Sequence, residues 1–498
     1  MADRGNTHCP LFEIDACLGL FRLKPRKTGN HNIIGTEGGT SMEDTIAGVS
    51  TAVGNAGLAV IRMSGEKSFE IADKVFRGRV PVTTQKSHTL QYGRIVTDDG
   101  EVVDEVLLTK MAAPKTYTRE DVVEINCHGG FYVTGRILRL LYEKGARPAE
   151  PGEFTKRAFI NGRIDLSQAE AVMDLIQAKT GKSSRAAMDQ LEGKLSSELN
   201  EIVTGLTNTL AHIEVDLDYP EYDHEELSMK QVEEEAKRAM SRLERLIGSF
   251  HYGKILREGM DVVIAGKPNT GKSSLLNYLT RKNRAIVTDI PGTTRDVIEE
   301  TVNIGGIPIK LTDTAGVRQT DDPVESIGVT RSLEALKQAD FVILMLDASD
   351  WQTREDEMLL ELVKSSQAHY MTVFNKMDLL KDIETTDRLK RLNPDGVFIS
   401  IIEDKGLDDL EKRLIDFACG NKINLDNQVL VTNARHERQL RLAYETLEAA
   451  LAAIRSAMTL DIVALELRTA LDHLGRVTGQ TAEEEIVNAI FSRFCIGK

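Results

Sequence analysis

The sequence predicts a multidomain protein that combines an α+β domain, an all-α helical domain and an α/β domain with a parallel sheet. Three observations support this prediction. Short strand-like runs dominate residues 57–163, helical periodicities follow and later return after residue 426, and strands alternate with helices over residues 261–417. Because helical texture lies on both sides of the α/β region, we expect the α/β domain to be inserted into the helical one.

The N-terminal domain is predicted over residues 42–163, where turns rich in Gly, Pro and Asp separate the strand-like runs. The predicted elements are strands at Leu58–Met63, Thr89–Val96, Val102–Met111 and Asp121–Cys127 and a helix at Tyr132–Glu143. Cys127 and His128 resemble a catalytic pair. Neighbours on a strand point to opposite faces, so we do not expect them to share a site.

The helical domain is predicted in two parts, at residues 164–258 and 419–498. Ser167 and Glu170 have the spacing of a capping box and begin a periodicity that continues to about Leu217. A second helix is predicted after Ser228. Two later apolar stripes, which we interpret as packed core, comprise Leu440, Leu447, Leu451, Ile454 and Met458 and the segment Val463–Leu474.

The α/β domain is predicted over residues 259–418. Its strands are expected at Val262–Ala265, Ile307–Thr312, Phe341–Leu346, Tyr370–Phe374 and Val397–Ile401. Gly305 and Gly306 lie between two extended runs and predict a hairpin at the sheet edge.

Composition restricts the classes of protein to consider. The 498 residues are 41% hydrophobic and 28% charged, which suits a chain with several ordinary cores. Five scattered cysteines argue against a disulfide framework and favour a reducing, cytoplasmic location without a membrane span. Residues 1–41 fit no targeting signal, and we interpret them as a disordered extension or a misplaced start. Because the chain has a net charge of -15, it would need a local basic patch or a partner protein to bind a nucleic acid.

Residues 266–273 have the Gly-x-x-x-x-Gly-Lys-Ser pattern of a phosphate-binding loop between a strand and a helix. The glycines let backbone N–H groups surround a phosphate, Lys272 supplies a positive charge and Ser273 offers an oxygen to Mg²⁺. Thr294 is the expected second hydroxyl ligand of Mg²⁺. Asp313 can support the magnesium shell, and the Gly316 N–H can reach the γ-phosphate.

The Asn375-Lys376-x-Asp378 motif completes the predicted nucleotide site, because the Asp378 carboxylate can accept two hydrogen bonds from a guanine edge. GTP is therefore the expected nucleotide. The predicted GTP-binding residues are Asn269, Thr270, Gly271, Lys272, Ser273, Ser274, Thr288, Asp289, Ile290, Pro291, Gly292, Thr293, Thr294, Asp313, Thr314, Ala315, Gly316, Asn375, Lys376 and Asp378. Val317 replaces the glutamine that orients water in small regulatory GTPases, and Arg318 is open to two interpretations, an arginine finger or a surface residue.

Over residues 42–498 the chain resembles the MnmE (TrmE) family of tRNA modification GTPases, of the TrmE-Era-Der type. The resemblance rests on Leu58–Gly65, Tyr117–Glu124, Arg147–Ala158, Gly266–Ser274, Ile290–Asp296, Asp313–Val317 and the terminal Phe-Cys-Ile-Gly-Lys. It implies a folate-binding, aminomethyltransferase-like N-terminal domain, a helical domain and an inserted P-loop G domain. It also implies a homodimer.

The resemblance further implies that a K⁺ ion beside the nucleotide replaces an arginine finger when two G domains meet. By motif, the K⁺ ligands would be Asn269, Thr288, Ile290 and Thr293. Glu325 matches the family residue that orients water. Without the family it would be interpreted as an ordinary exposed acid.

A folate site is implied as well, for 5,10-methylene- or 5-formyltetrahydrofolate. The matching positions are Arg62, Glu124, Arg163 and Lys498, although Arg163 stands where a lysine is expected. The C-terminal tail would fold back and place Cys495 beside the reactive carbon, as nucleophile or base. A cysteine that merely packs is the alternative.

The implied reaction adds a carboxymethylaminomethyl or aminomethyl group to carbon 5 of the tRNA wobble uridine. FAD is expected only on a partner flavoprotein of the MnmG (GidA) type, in a heterotetramer, because no Gly-x-Gly-x-x-Gly follows a strand here. The alternative is a ribosome-assembly GTPase that acts as an RNA-binding switch, but no RNA-binding appendage is evident after the G domain. A stand-alone folate enzyme is disfavoured by the complete set of nucleotide motifs.

Overall fold

The computed structural model describes residues 44–52, 54–218, 229–283, 300–313, 335–351, 353–366, 368–380, 383–420 and 428–498. The predicted extension at residues 1–41 lies outside them. The described residues form two compact units. The first contains the described parts of 1–163 and 207–232 together with 491–498, and the second contains those of 164–206 and 233–490. None of the described helices is both long and apolar enough to cross a membrane.

A seven-stranded sheet forms the centre of the first unit. Its strands are β1 (Ile46–Val49), β2 (Ala59–Ser64), β3 (Phe76–Gly78), β4 (Thr89–Val96), β5 (Val102–Met111), β6 (Val122–Cys127) and β7 (Arg147–Pro148). They lie in the order β3-β4-β5-β6-β2-β1-β7, and only β1 and β7 pair in parallel. Three helices accompany the sheet, namely α1 (Ser68–Val75), α2 (Phe131–Glu143) and α3 (Glu153–Ile160).

Alternation along the strands gives this sheet two different faces. Ile61, Ile125 and Leu108 point to one face and are buried with Ile71 of α1 and Ile137 of α2. The residues between them on each strand therefore point to the opposite face, because side chains alternate along a strand. The four predicted strands and the predicted helix are confirmed to within one residue at each end.

The described residues contain twelve further α-helices. They are α4 (Leu166–Gln177), α5 (Gly181–Leu191), α6 (Lys194–Asp218), α7 (Met229–Gly248), α8 (Phe250–Glu258), α9 (Lys272–Lys282), α10 (Arg354–Ser365), α11 (Ile383–Leu392), α12 (Leu407–Ala418), α13 (Ala434–Arg455), α14 (Leu460–Thr478) and α15 (Glu484–Phe491). The helices predicted after Ser228 and across Val463–Leu474 are confirmed as α7 and α14.

The single long periodicity predicted from residue 167 to about Leu217 is wrong in detail, because three helices occupy it. The chain breaks where Thr180 caps α5 and again at Gly193, which adopts φ 86°. The predicted capping box is also displaced. Asp165 is the N-cap of α4, and its side chain accepts from the Gln168 N–H at 2.9 Å while the Gln168 side chain accepts from the Asp165 N–H.

Glu170 has a different role from the predicted cap. Its Oε2 lies 2.6 Å from His436 Nε2 and 2.8 Å from Arg435 Nη2, and its Oε1 accepts from Asn433 Nδ2 at 3.0 Å. Burial raises the pKa of Glu170, but attraction and hydrogen bonds from His436 and Arg435 outweigh it and lower the pKa to about 2. Glu170 therefore ties α4 to the start of α13.

A second sheet belongs to the α/β domain inserted between the helices. Its strands are β8 (Met260–Gly266), β9 (Glu300–Ile304), β10 (Ile307–Asp313), β11 (Phe341–Asp347), β12 (His369–Asn375) and β13 (Val397–Phe398), in the order β13-β12-β11-β8-β10-β9. All pair in parallel except the edge strand β9, which forms the predicted hairpin with β10. The predicted parallel sheet is confirmed. Apolar side chains of the central strand β11 are buried on both faces, as a sheet covered on both sides requires.

The last predicted strand, Val397–Ile401, is shorter than expected. It ends at Phe398, and two residues later Ser400 exchanges backbone hydrogen bonds with Lys405 in a turn. This turn lies beside the candidate nucleotide site.

Candidate functional site

The loop between β8 and α9 has the backbone shape that a phosphate requires. Asn269 and Gly271 adopt left-handed φ values of 64° and 102°. A Cβ at Gly271 would overlap the Asn375 side chain, which crosses behind the loop and donates to the Thr270 carbonyl at 2.9 Å. Lys272 Nζ donates to the carbonyls of Gly266 (2.8 Å) and Lys267 (2.7 Å). The ammonium group therefore lies inside the curve of the loop.

A cleft of about 880 Å³ opens in front of this loop. Eight of the predicted GTP-binding residues line it, namely Asn269, Gly271, Lys272, Ser273, Ser274, Asn375, Lys376 and Asp378. Thr270 lies behind the surface, where its hydroxyl donates to the Lys267 carbonyl at 2.9 Å. The carboxyl ends of β8 and β12 thus bring two distant motifs to one edge of the sheet.

The end of the cleft around Asp378 contains residues that were not predicted from the sequence. Ser400 is 1% exposed, and its hydroxyl donates to Asp378 Oδ1 at 2.6 Å. Lys376 Nζ donates to Asp347 Oδ2 at 2.7 Å, and Ile402 lines the cleft with 86% of its surface exposed. No local signal in the sequence identifies Ser400, because the predicted last strand continued through it to Ile401. Ser400 fixes the carboxylate that is predicted to recognise guanine.

The remaining predicted nucleotide residues lie outside the described part of the chain. These are Thr288, Asp289, Ile290, Pro291, Gly292, Thr293, Thr294, Thr314, Ala315 and Gly316, as well as Glu325, Val317 and Arg318. Asp313 ends β10, but its side chain is likewise not described. The roles of these residues stay predictions.

A second cluster of predicted residues lies in the first unit. Arg62 on β2 stands directly opposite Glu124 on β6, and its Nη2 lies 2.8 Å from Glu124 Oε1. The Arg62 guanidinium also lies 5.5 Å from the Tyr117 ring centre and 5.7 Å from that of Phe154. Arg163 lies over the same Tyr117 ring at 4.7 Å. Tyr117 and Phe154 thus join Arg62 to Arg163 and to the chain terminus, although neither was singled out from the sequence.

The C-terminal tail docks against this cluster through backbone groups. The Phe154 N–H donates to the Lys498 carbonyl oxygen at 3.1 Å, and the Gly152 N–H donates to the Cys495 carbonyl at 3.3 Å. The Ser50 hydroxyl donates to the Gly497 carbonyl at 3.0 Å. Gly497 has φ 91°, and a Cβ there would overlap the Val49 carbonyl. The tail is therefore held in a defined path that only glycine permits at position 497.

The cysteines of the described chain differ sharply in their surroundings. Cys127 is buried, its thiol lies 3.5 Å from the Ala59 carbonyl, and burial raises its pKa to about 11. Cys419 is partly buried, whereas Cys495 is exposed. Of these three cysteines, Cys495 is the most exposed. His128 is exposed while Cys127 is buried, so the pair is not a shared site.

Comparison with known proteins agrees with this architecture. Residues 166–495 match a family model described as the MnmE helical domain, and residues 45–163 match one described as the N-terminus of the GTP-binding protein TrmE. A solved structure of Era from Aquifex aeolicus is similar over 37% of this chain and 66% of its own, with 26% identity and a TM-score of 0.26.

Curated relatives extend the match to nearly the whole length. The chain is 48% identical over 459 residues to the tRNA modification GTPase MnmE of Acetivibrio thermocellus, which covers 92% of this chain and 99% of the relative. It is 48% identical over 461 residues to the protein of the same name from Geobacillus kaustophilus, covering 91% and 99%. With both domain models and near-complete relatives in agreement, this chain belongs to the MnmE (TrmE) family of tRNA modification GTPases.

Proposed function

We propose that this chain is a K⁺-activated GTPase that, with a partner flavoprotein of the MnmG (GidA) type, installs a carboxymethylaminomethyl or aminomethyl group at carbon 5 of the tRNA wobble uridine. A folate-bound one-carbon unit supplies the added carbon. The observation that supports the proposal is the docking of the C-terminal tail, which contains Cys495, against Phe154 and so beside Arg62. A GTPase that acted only as a regulatory switch would have no use for an exposed thiol beside this cluster.

The nucleotide side of the proposal rests on the cleft. Lys272 lies inside the loop curve and would bind the outer phosphates, and the Ser273 hydroxyl, with Thr294, would bind Mg²⁺. Asp378, fixed by Ser400, would accept from the guanine edge. These residue types fit a magnesium nucleotide, because the cleft combines a cation, a hydroxyl oxygen and loop N–H groups.

Asn269 supports the proposal of a K⁺ site. Its left-handed backbone places it at the turn of the loop, and it lines the cleft. An amide oxygen is a suitable ligand for K⁺, and Thr288, Ile290 and Thr293 would supply the others. When bound, K⁺ would stabilise negative charge that develops on the phosphates in the transition state, in addition to the charge that Lys272 supplies. Glu325 would orient the attacking water.

The folate side rests on the chemistry of the second cluster. A folate has a flat ring with N–H donors at one end and carboxylates at the other. Glu124 can accept from the ring edge, Arg62 and Arg163 can bind carboxylates, and the Tyr117 ring offers a flat surface. Lys498 is connected to the same cluster, because its backbone carbonyl accepts a hydrogen bond from the Phe154 N–H. The exposed Cys495 thiol would act there as nucleophile or base.

An exposed apolar region of the sheet supports a homodimer. Leu90, Thr109, Glu124 and Arg62 are successive cross-strand neighbours, so Leu90 shares a face with the proposed folate residues. Leu90 is 54% exposed, and Tyr92 and Leu107 in the next row are 60% and 40% exposed. We infer that a second copy of the chain covers this face, since an apolar patch is commonly an interface. FAD would reside on the flavoprotein.

The first test compares GTP turnover in KCl and NaCl at equal ionic strength. We expect turnover to be at least about tenfold faster in K⁺, because the ion replaces a charged side chain in the transition state. Asn269→Ala should abolish the difference. Asn393→Ala, at a half-buried asparagine that bonds the Leu389 carbonyl outside the cleft, should preserve it. Equal rates in both salts would contradict the K⁺ mechanism.

A second test uses cells that lack the chain and are complemented with variants. Cys495→Ser should lose the wobble-uridine group while the purified variant keeps its GTPase activity. Cys419→Ser, at a partly buried cysteine, is the control and should restore modification. If nucleosides are unchanged in the deletion strain and ribosomal subunits fail to assemble, the ribosome-assembly function would be favoured instead.

A further inference from the structure

Lys267, the second residue of the phosphate-binding loop, directs its ammonium group away from the cleft. Its Nζ lies 2.9 Å from Thr353 Oγ1, 3.0 Å from Asp356 Oδ2 and 3.2 Å from the Asp350 carbonyl. The Lys267 side chain is 11% exposed, and it is not among the residues that line the cleft. Its charge therefore serves a contact inside the protein rather than a phosphate.

The partner of Lys267 is the N-terminus of α10. Thr353 is the N-cap, and it forms a capping box with Asp356. Asp356 Oδ2 accepts from the Thr353 hydroxyl at 2.8 Å as well as from Lys267, and the Asp356 side chain is 6% exposed. Its Oδ1 is buried, and no described residue bonds to it. Lys267 is thus the cation that compensates this buried carboxylate.

The backbone of Lys267 faces the opposite way, into the loop. Its carbonyl accepts from Lys272 Nζ at 2.7 Å and from the Thr270 hydroxyl at 2.9 Å. Pro268 and the left-handed Asn269 follow it directly. One residue therefore connects α10 with the loop that surrounds the phosphates.

We propose that Lys267 is a positioning residue for the nucleotide site, which holds the phosphate-binding loop against the capping box of α10. The ammonium group fixes the position of the Lys267 peptide. The carbonyl of that peptide in turn holds the Lys272 ammonium group and the Thr270 hydroxyl. The Asn375 side chain holds the loop at Thr270. Lys267 holds it at the opposite end.

The test measures the Kd of fluorescent GDP and GTP analogues for the full chain. In Lys267→Met we expect both dissociation constants to rise about tenfold, the usual effect of losing a hydrogen-bonded charged contact. Lys267→Arg should stay within about threefold of the wild type, since it keeps the charge. Lys282→Met is the matched control, because Lys282 forms ion pairs with Asp408 and Glu411 in the same domain but lies outside the cleft.

The double variant Lys267→Met with Asp356→Asn separates positioning from stability. Asparagine can keep the cap while removing the uncompensated buried charge, so the double variant should recover melting temperature relative to Lys267→Met. Its nucleotide affinity should stay about tenfold reduced. The proposal is overturned if the double variant recovers affinity together with stability, or if Lys267→Met lowers the number of binding sites and leaves the Kd unchanged.

Discussion

At the scale of single residues, a hydroxyl holds the carboxylate that is proposed to recognise guanine. Asp378 is held by Ser400, which is itself fixed by backbone hydrogen bonds to Lys405. Asp378 could be predicted from its motif. Ser400 could not, because its role depends on the turn that ends the last strand three residues earlier than predicted.

We predict that Ser400→Ala weakens GTP binding about tenfold, because a hydrogen bond to a charged group is lost and Asp378 is no longer oriented. Titration with a fluorescent GTP analogue measures the change. Inosine triphosphate lacks the exocyclic amino group and makes one fewer contact with the carboxylate. The Ser400→Ala substitution should therefore weaken its binding less than it weakens the binding of GTP. Equal losses for both nucleotides would show that Ser400 acts on the loop rather than on Asp378.

The roles of Tyr117 and Phe154 could also not be predicted from the sequence. The arginines and the glutamate around them were identified through family motifs, but the rings that connect them were not. Their contacts join residues 62, 117, 154, 163 and 498, so no local pattern in the sequence reveals them. Rings between arginines on different elements become evident only in the folded chain.

At the scale of elements, Thr180 connects a helix to the edge hairpin of the G domain. Its hydroxyl oxygen accepts from the Ser183 N–H at 3.1 Å, which caps α5, and its hydroxyl donates to the Gly306 carbonyl at 2.7 Å. Lys179 Nζ donates to the Thr301 hydroxyl at 3.2 Å on the neighbouring strand β9. The hairpin of β9 and β10 is therefore bound at its tip to the start of α5.

Thr180→Val should destabilise this contact by about 1 to 2 kcal/mol, because it removes the cap and leaves a carbonyl without its donor. Hydrogen exchange of peptides from residues 300–313 should become faster, whereas peptides from β11 and β12 should not change. Thr180→Ser keeps the hydroxyl and is the control. Unchanged exchange in the hairpin would show that Thr180 only caps the helix.

The elements that the sequence predicted well are those with turn residues at both ends. Strands β4 and β5 match their predicted bounds, since Gly, Asp and Pro mark the turns around them. The breaks at Thr180 and Gly193 were missed because the apolar periodicity runs on across them. Met458 was assigned to the stripe of α13, but it lies beyond the helix end and is 48% exposed. Periodicity identifies the buried face of a helix better than its end.

At the scale of the whole molecule, a buried charge cluster makes the second unit sensitive to acid. Glu170 joins α4 to the start of α13, and the residues to which it bonds lie more than 260 positions away in the chain. Its folded pKa of about 2 lies below the ordinary value of 4.5. The carboxylate therefore contributes stability above about pH 4.5, and this contribution is lost as the pH falls toward 2.

We predict that Glu170→Gln lowers the free energy of unfolding by about 3 kcal/mol near pH 7, which corresponds to the lowering of the pKa. The difference from the wild type should shrink steadily between pH 4.5 and 2. Calorimetry of both proteins across this range measures it. Asp189→Asn removes a partly exposed ion pair with Lys194 in the same unit and should show little effect at any pH. A difference that does not depend on pH would contradict the assignment.

The docked C-terminal tail determines when the proposed folate site can form during translation of the chain. Ser50 and Gly497, which bond to one another, are 447 positions apart. At about 5 to 20 residues per second, a ribosome makes Gly497 roughly 20 to 90 seconds after Ser50. A nascent chain can therefore form its first sheet before Cys495 has been translated. The proposed folate site is assembled last, after the GTPase machinery has been translated, so an interrupted chain could hydrolyse nucleotide without modifying RNA.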